Sequence, residues 1–332
     1  MSQKKEKFIV CCALPYPNGG QHLGHLAGAY LPGDIFTRYK RMQGHDVHFL
    51  SGTDEHGAAI TFKALEEKIS PQEVADKYHK IIKDGLDACN INFDIFSRTT
   101  KACHIKRSQE FFLNLHKKGL LEQKTEMRLH CSVDNQFLPE RYVLGTCPNC
   151  KAPGARGDQC EKCGSWYEPE NLIDPICQLC KKTKATLKET THWYFKLNDL
   201  EPQLKAWLES KKHWRKNVLG YAFQPIKAGL TSRAITRDLD WGVPVPLPES
   251  KDKVLYVWFD APIGYISASE DWSIQCGEPE KWRSYWEDKN SRLVHFIGKD
   301  NIIFHTVFWP SILMGDDRYV LPDIMAGNEF LN

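Results

Sequence analysis

The sequence predicts an α/β protein whose parallel sheet is interrupted by a small cysteine-rich insertion. Strand-like apolar runs that lead into helical segments occur near both ends of the 332-residue chain. Cysteine pairs cluster in the middle, where the helical periodicity weakens. Because parallel strands need crossover connections, alternating strands and helices favour a parallel sheet. A chain of this length also exceeds one ordinary hydrophobic core.

Each element follows from a local pattern. Residues 8–14 form an apolar run bounded by prolines and glycines, which predicts a buried strand, and a helix is predicted over 22–42 with a kink or break at Pro32. Residues 47–57 predict a second strand that ends in a polar turn, and 297–315 a third strand-to-helix junction.

The change of texture in the middle divides the chain into three parts. Glycine, proline and cysteine become frequent between about residues 118 and 230, after which the run VLYVWFDAPIGYISA restores a strand followed by a turn and a helix. We therefore expect residues 1–117 and 231–332 to be two halves of one sheet domain, with 118–230 inserted between them.

Composition excludes several classes of protein. The net charge of +2 argues against a protein that coats DNA. No apolar stretch approaches the roughly 20 residues that cross a bilayer, and the N-terminus lacks the pattern of a signal peptide. We expect a cytoplasmic protein without a membrane partner, in which paired cysteines bind metal or remain free thiols.

Two Cys-x-x-Cys pairs, separated by a short glycine-containing loop, predict a structural zinc knuckle. Two residues between thiolates let one tight turn aim both sulfurs at a tetrahedral ion, whereas free thiols are the alternative. Four cysteines leave no open position for catalysis. The predicted ligands of this first zinc are Cys147, Cys150, Cys160 and Cys163.

A third cysteine pair predicts a possible second zinc. Cys177 and Cys180 need partners, and an upstream thiolate and carboxylate lie at the same spacing, with His130 as a competing ligand. A site that binds no metal is the alternative. The predicted ligands are Cys131, Asp134, Cys177 and Cys180.

A histidine pair at the start of the first helix predicts a phosphate site. His22 and His25 lie where free backbone N–H groups and the helix dipole favour an anion, and Gly24 leaves room for a nucleotide. Imidazole donors there can neutralise charge that develops on an α-phosphate. Two surface histidines without a function are the alternative.

These features occur together in a known family. The stretch HLGH resembles the His-x-Gly-His signature of class I aminoacyl-tRNA synthetases. ALPYPNGGQHLGHLAGAY, GTDEHG, FLPERYVLGTCPNC, YVWFDAPIGY and HFIGKDNIIFHTVFWP follow in the order found in the methionyl-tRNA synthetases. The resemblance covers essentially the whole chain.

The resemblance implies a Rossmann-like nucleotide-binding domain with an inserted zinc-knuckle connective domain. It implies a methionine–tRNA ligase that uses ATP with Mg²⁺, L-methionine and tRNA(Met). In this family the carboxylate of methionine attacks the α-phosphate of ATP, and the acyl group then moves to tRNA. A carboxylate is already ionised at neutral pH, so no protein group needs to form a bond.

The resemblance also assigns residues to the two substrates. His22 and His25 are the expected catalytic residues, and Gly24, Gly298 and Asp300 the expected ATP-binding residues. Asp54 should bind the amino group. The expected methionine-binding residues are Ala13, Leu14, Tyr16, Asp54, Trp258, Ala261, Pro262, Tyr265, Ile302 and His305.

Family members carry a Lys-x-Ser-Lys-Ser-type loop and a helical anticodon-binding domain that the printed sequence does not contain. We therefore expect a fragment that activates methionine weakly. Two alternatives stay open: another class I synthetase, for leucine, isoleucine, valine or cysteine, and a zinc-knuckle RNA-binding module without catalysis.

Overall fold

The computed structural model describes residues 5–139, 142–157, 160, 162–163, 167 and 169–329. In these ranges the strands are β1 (Lys7–Cys12), β2 (Asp46–Thr53), β3 (Ile95–Arg98), β4 (Leu121–Cys131), β5 (Gln136–Phe137), β6 (Val143–Thr146), β7 (Ala155–Arg156), β8 (Ile173–Cys177), β9 (Thr186–Phe195), β10 (Arg233–Ala234), β11 (Thr236–Arg237), β12 (Val254–Leu255), β13 (Arg292–Gly298) and β14 (Pro322–Asn328). The helices are α1 (Leu23–His25), α2 (Leu31–Met42), α3 (Ala58–Glu67), α4 (Pro71–Ala88), α5 (Ala102–Lys117), α6 (Glu201–Ser210), α7 (Lys216–Ala228), α8 (Val257–Asp260), α9 (Ile263–Gln275), α10 (Arg283–Trp286) and α11 (Trp309–Asp316).

The main sheet has five strands in the order β14-β13-β1-β2-β3, and every pairing is parallel. The predicted parallel α/β sheet is therefore confirmed. Strand β1 lies at its centre, and its inward residues are fully buried. The predicted strand over 8–14 ends two residues early, at Cys12, although the N–H of Ala13 still donates to the carbonyl of Phe296 at 3.0 Å.

The helix after β1 contains an irregular turn rather than a break at Pro32. Helices α1 and α2 are joined by a π-helical turn, Leu26–Tyr30, so the disturbance lies one turn before the proline. Proline has no N–H for the carbonyl four residues earlier, and the wider π turn accommodates its ring. The carbonyl concerned, that of Gly28, instead accepts from the side chain of Asn328 at 2.6 Å.

The middle of the chain forms two small antiparallel sheets. One has the order β10-β9-β4-β5, and the other has the order β7-β6-β8. Their shared core consists of few apolar side chains, among which buried cysteines are prominent. The long antiparallel strands β4 and β9 connect these sheets to the main sheet domain, where Leu121 and Phe195 join the large core.

The run from Val254 to Ala268 contains less strand than the sequence predicts. Only Val254–Leu255 form a strand, paired antiparallel with β11, before α8 and α9 begin. Helix α9 is buried almost all round, against β2, β3 and α5. Among the described residues, no helix has both the length and the apolar character to span a membrane.

Candidate active site

A cleft of about 1640 Å³ opens where three strands of the main sheet end. Its floor is formed by residues just beyond β1, β2 and β13, among them Ala13, Asp54 and Gly298. The carboxyl ends of neighbouring parallel strands meet at one edge, which is where ligands bind in open α/β sheets. The polar turn that follows β2 therefore faces the histidine pair that follows β1.

The two histidines hold each other and the start of the helix. Nδ1 of His22 accepts from the N–H of Gly24 at 3.0 Å, and Nδ1 of His25 accepts from the N–H of His22 at 3.3 Å. Their rings stack with centroids 3.9 Å apart. Because both Nδ1 atoms accept, each neutral ring carries its proton on Nε2. Burial, followed by the charge of His22, lowers the pKa of His25, while Asp300 raises it.

Gly24 is required by this histidine pair. A β-carbon at residue 24 would lie 2.8 Å from Cε1 of His22 and 2.9 Å from its Nδ1. The prediction gave this glycine the role of making room for a nucleotide. The geometry adds a local reason, since the ring of His22 occupies the same space.

Asp54 is a buried acidic group in the floor of the cleft. Its side chain is buried, and Oδ1 has no hydrogen-bond partner. Burial raises the pKa of Asp54 well above its usual range, and the charge of Asp260 raises it further. A buried carboxylate oxygen without a donor is costly. A cation with N–H donors in the cleft would offset that cost.

Tyr265 and His305 form a buried polar pair at the apolar end of the cleft. Nδ1 of His305 donates to the carbonyl of Asn301 at 3.0 Å, so Nε2 accepts from the hydroxyl of Tyr265 at 2.8 Å. Burial lowers the pKa of His305 to about 4, which keeps its ring neutral. The pair therefore presents polarity without charge beside apolar walls.

Aromatic side chains form much of the remaining wall. The ring of Trp258 lies between those of Tyr256 and Phe304, with centroids 5.8 and 5.9 Å away, and Trp258 is 52% exposed. The predicted methionine residues that line the cleft are Ala13, Leu14, Tyr16, Asp54, Trp258, Ala261, Pro262, Tyr265 and His305.

Ile302 is the predicted methionine residue that lies outside the cleft lining. Its side chain is fully buried, and a β-carbon on Gly327 would lie 2.7 Å from its Cδ1. The sequence pattern placed it correctly beside His305, but successive residues of a helical turn face different directions. Ile302 supports the wall from behind, against β14.

The remaining predicted nucleotide residues lie together at the end of β13. Gly298 lies at the cleft, and a β-carbon there would approach Oδ1 of Asp300 to 2.5 Å. Asp300 is exposed and lies close enough to His25 to influence its pKa. His25 and Asp300, which are far apart in the sequence, therefore lie on the same rim of the cleft.

Sequence reasoning missed a polar wall of the cleft. It comes from the antiparallel strands β4 and β9 and from the segment after β10, and the alternation of side chains along a strand was the available signal. These residues are Glu126, Arg128, His192, Tyr194 and Asp238. Arg128 forms an ion pair with Glu126 at 2.8 Å, and Nε2 of His192 lies 3.1 Å from Oδ2 of Asp238, so the polar groups of this wall are paired with one another.

The first cysteine cluster matches a tetrahedral metal site. The sulfurs of Cys147 and Cys163 are 3.9 Å apart, and those of Cys150 and Cys160 are 3.6 Å apart. Zinc–sulfur bonds of about 2.3 Å at tetrahedral angles separate sulfurs by about 3.8 Å. All four ligand atoms lie within 4.8 Å of one another, so this group could hold a metal ion.

The second cluster brings together the other four predicted ligands. The sulfurs of Cys131 and Cys180 are 3.7 Å apart, and Oδ2 of Asp134 lies 3.3 and 3.1 Å from the sulfurs of Cys131 and Cys177. His130, the competing candidate, instead packs its ring against Phe137. Neighbouring residues of a strand point to opposite faces, so Cys131 and His130 cannot both face the cluster.

Comparisons with known proteins give the same organisation. The family model described as tRNA synthetases class I (M) matches residues 8–332. The methionine–tRNA ligase of Rubrobacter xylanophilus is 46% identical over an alignment of 337 positions, which covers 100% of this chain and 58% of the relative. The methionine–tRNA ligase of Pyrococcus furiosus is 49% identical, and the match covers 98% of this chain and 46% of that relative. The chain thus spans about half the length of these relatives.

A solved structure agrees with the fold. Mycobacterium tuberculosis methionyl-tRNA synthetase in complex with methionyl-adenylate matches with a TM-score of 0.74 at 28% identity, over 98% of this chain and 57% of that one. A zinc-knuckle RNA-binding module would not account for a match that includes both halves of the sheet. The chain belongs to the family of class I (M) tRNA synthetases.

Proposed function

We propose that this chain activates L-methionine with ATP for transfer to tRNA(Met). The observation that carries the proposal is the buried Asp54 carboxylate, whose Oδ1 has no donor and which belongs to a residue that lines the cleft. An α-ammonium group supplies three N–H donors and a charge, and a flexible thioether suits the walls. The Mycobacterium relative, bound to methionyl-adenylate, supports this choice of amino acid.

The reaction requires little chemistry from the protein. A carboxylate oxygen of methionine forms a bond to the α-phosphorus of ATP, and the bond from that phosphorus to pyrophosphate breaks. The nucleophile is already an anion, so the cleft acts by alignment and by stabilising new charge. Mg²⁺ would enter with ATP, coordinated largely by phosphates and water.

The histidine pair is suited to this role because its tautomers are fixed. His22 and His25 each accept at Nδ1, which leaves an N–H at Nε2 for phosphate oxygens. Gly24 leaves the space that the ring of His22 occupies. Gly298 and Asp300 provide a rim for the ribose, because a carboxylate can accept hydrogen bonds from the ribose hydroxyls. Stacked neutral rings avoid placing two cations side by side before ATP binds.

Thioether recognition depends on the Tyr265–His305 pair and the apolar wall. Ala13, Leu14, Tyr16, Trp258, Ala261 and Pro262 would enclose the side chain of methionine. A neutral hydroxyl and imidazole offer weak contacts to sulfur that a methylene group does not make.

The cysteine clusters would hold two structural zinc ions, since both sets of donors converge at suitable distances. We propose that residues 118–230 form the connective insertion between the sheet halves 1–117 and 231–332. Its strand pair, β4 and β9, would carry the zinc lobe above the cleft, where the acceptor end of tRNA(Met) must enter. We propose a cytoplasmic location, in keeping with a role in protein synthesis.

The test is binding of free amino acids to the 332-residue chain, measured by isothermal titration calorimetry. We expect L-methionine to bind and L-leucine to bind far more weakly. The substitution Asp54→Asn should weaken methionine binding by about 10²-fold, because losing one partner of a buried charged pair costs about 2–5 kcal/mol.

Asp34→Asn is the matched control, since Asp34 is buried but pairs with Arg38 on α2, away from the cleft. It should leave the affinity unchanged. Equal affinities for methionine and leucine would contradict the choice of substrate. An unaltered methionine affinity in Asp54→Asn would contradict the assignment of the amino group.

A further inference from the structure

A buried polar cluster lies directly behind the cleft wall. Oδ2 of Asp260 lies 2.7 Å from Nδ1 of His56 and 3.2 Å from Nε2 of His104. Asp260 and His104 have no exposed surface, and His56 is 3% exposed. The cluster joins the turn after β2, the helix α5 and the helix α8. Two of its residues precede the cysteine-rich segment in the sequence, and Asp260 follows it.

Hydrogen bonding orients the rings around Asp260. Nε2 of His104 donates to the Asp260 carboxylate at 3.2 Å, and its Nδ1 lies 2.9 Å from the hydroxyl of Ser267. Burial lowers the pKa of His104, and its ring is neutral. Burial raises the pKa of Asp260, but the charge and hydrogen bonds of His56 and His104 outweigh this and lower it overall. Asp260 is therefore the anion of the cluster.

The turn after β2 connects this cluster to the cleft. Its three consecutive polar residues have different surroundings: Asp54 faces the cleft, Glu55 is bound by Arg98 at 2.7 Å, and His56 is bound to Asp260. The indole of Trp241 donates to the carbonyl of Glu55 at 2.6 Å. The direction of Asp54 is therefore fixed by the two residues that follow it.

Two carboxylate oxygens near the cleft lack partners. Oδ1 of Asp54 and Oδ1 of Asp260 are both buried without a hydrogen bond, and the two groups influence each other electrostatically. The three groups of the cluster lie within 4.8 Å of one another, as metal ligands would. However, both imidazoles approach the same oxygen at hydrogen-bond distance, so protons rather than a metal ion account for the geometry.

We infer that Asp260, held as an anion by His56 and His104, is a positioning residue that supplies a second negative charge for the amino group of the substrate. The inference rests on the proposed function and extends it. Asp54 makes the direct contact, and Asp260 acts from behind the wall through the orientation of the turn and through its field. Low polarity between the two sites makes such a field effective.

The groups that face Asp54 determine its response to pH. Asp260 approaches from α8 and Glu55 from the same turn, and both disfavour its ionised form, while the N–H of His56 favours it. Tyr16 lies opposite, on the segment after β1. Since the pKa of Asp54 is raised, its carboxyl releases a proton when an ammonium group binds. Methionine affinity therefore falls as the pH is lowered through that pKa.

The experiment compares two ligands that differ only in the amino group. The affinities of L-methionine and of 4-(methylthio)butanoate are measured by calorimetry, with Asp260→Asn and the unmodified chain side by side. Asp260→Asn should weaken L-methionine by about tenfold and leave the ligand without an amine unchanged. Its acid limb for methionine should move to lower pH, because Asp54 loses a neighbouring charge.

Asp271→Asn is the control, since Asp271 is a buried acid of α9 that pairs with Ser97 and Lys101. It should change neither affinity. Equal weakening of both ligands by Asp260→Asn would show a structural role only and overturn the inference, as would an unshifted pH profile.

A measurement on the unmodified chain covers the case in which Asp260→Asn does not fold. Binding enthalpies in buffers of different ionisation enthalpy should show proton release when methionine binds on the acid limb. Absence of release would overturn the inference. If the unmodified chain bound no methionine at all, the proposed function would fail instead, so the two failures are distinguishable.

Discussion

The cysteine lobe and the cleft both collect polar side chains around an open centre, but they are supported differently. In the lobe, eight ligand side chains converge within a core that contains few other apolar groups. In the cleft, Asp54, His305 and the histidine pair are held by a sheet and helices that share a large apolar core. The lobe thus depends on its central ligand for its fold, whereas the cleft is formed before its ligand arrives.

A substitution in the first cysteine cluster tests this difference most sharply. Cys147→Ser should remove one metal equivalent and open the lobe to proteolysis, because structural zinc contributes about 10–16 kcal/mol in small metal-dependent folds. Methionine affinity should change less than about threefold if the cleft is independently formed. Metal analysis, limited digestion and calorimetry on one preparation measure all three.

Cys276→Ser is the matched control for this prediction, since Cys276 is an exposed thiol at the end of α9, remote from both clusters. It should keep the metal and the digestion pattern of the unmodified chain. A parallel collapse of methionine affinity in Cys147→Ser would show that the cleft also depends on the lobe.

The histidine pair gives the next largest effect, this time confined to the cleft. Removal of a preorganised donor at developing charge typically costs about 10²–10³ in rate. His22→Ala should lower methionine-dependent ATP–pyrophosphate exchange by that factor relative to the unmodified chain, while methionine affinity stays the same. His213→Ala, at an exposed site bonded to the carbonyl of Asp323, is the control. A loss confined to methionine affinity would remove the transition-state role.

Lowering the pH should destabilise the main sheet domain and release metal from the cysteine lobe, and these two changes can be measured separately. The expected effect is smaller than those of the substitutions above. Burial lowers the pKa of His305 and of His79 to about 4, so the unfolded chain, with histidine pKa near 6.5, binds more protons between these values. The free energy of unfolding should therefore fall as the pH drops from about 6.5 to about 4, by up to about 3 kcal/mol per histidine.

Urea titrations followed by tryptophan fluorescence would measure this change. His305→Gln should flatten the slope, because the substitution removes one titrating group from the window. A slope as steep as that of the unmodified chain would assign the acid sensitivity to other groups. Zinc release, followed with a metal indicator, reports the lobe separately, since its thiolates also bind protons on acidification.

Local patterns predicted the framework of the molecule. Alternating strands and helices led to a parallel sheet, and the spacing of the cysteines led to two groups whose side chains the fold brings together. The choice between His130 and Asp134 could not be made from spacing alone, because it depends on which face of β4 turns toward the cluster. Likewise, the π turn before Pro32 depends on Asn328, which no local pattern connects to Gly28.

The direct contacts of the cleft were easier to predict than the groups behind them. Motif residues such as Asp54 and Tyr265 stand out because they belong to the motifs that carry the family resemblance. The roles assigned to them remain predictions. The cluster around Asp260 was not predicted from the sequence, because His104 lies on a helix whose sequence, ACHIKRSQEFF, carries no motif. Its meeting with His56 depends on how α5 packs against α9, which only the assembled fold determines.

The central position of β1 has a consequence for how the chain is made. Phe8 pairs with Val47 on one side and with Arg292 on the other, so one edge of the first strand stays unpaired until β13 has been synthesised. During that interval the nascent sheet exposes unpaired backbone groups, a hazard for aggregation on the ribosome. The rim that contains Gly298 and Asp300 likewise cannot assemble before β13 exists.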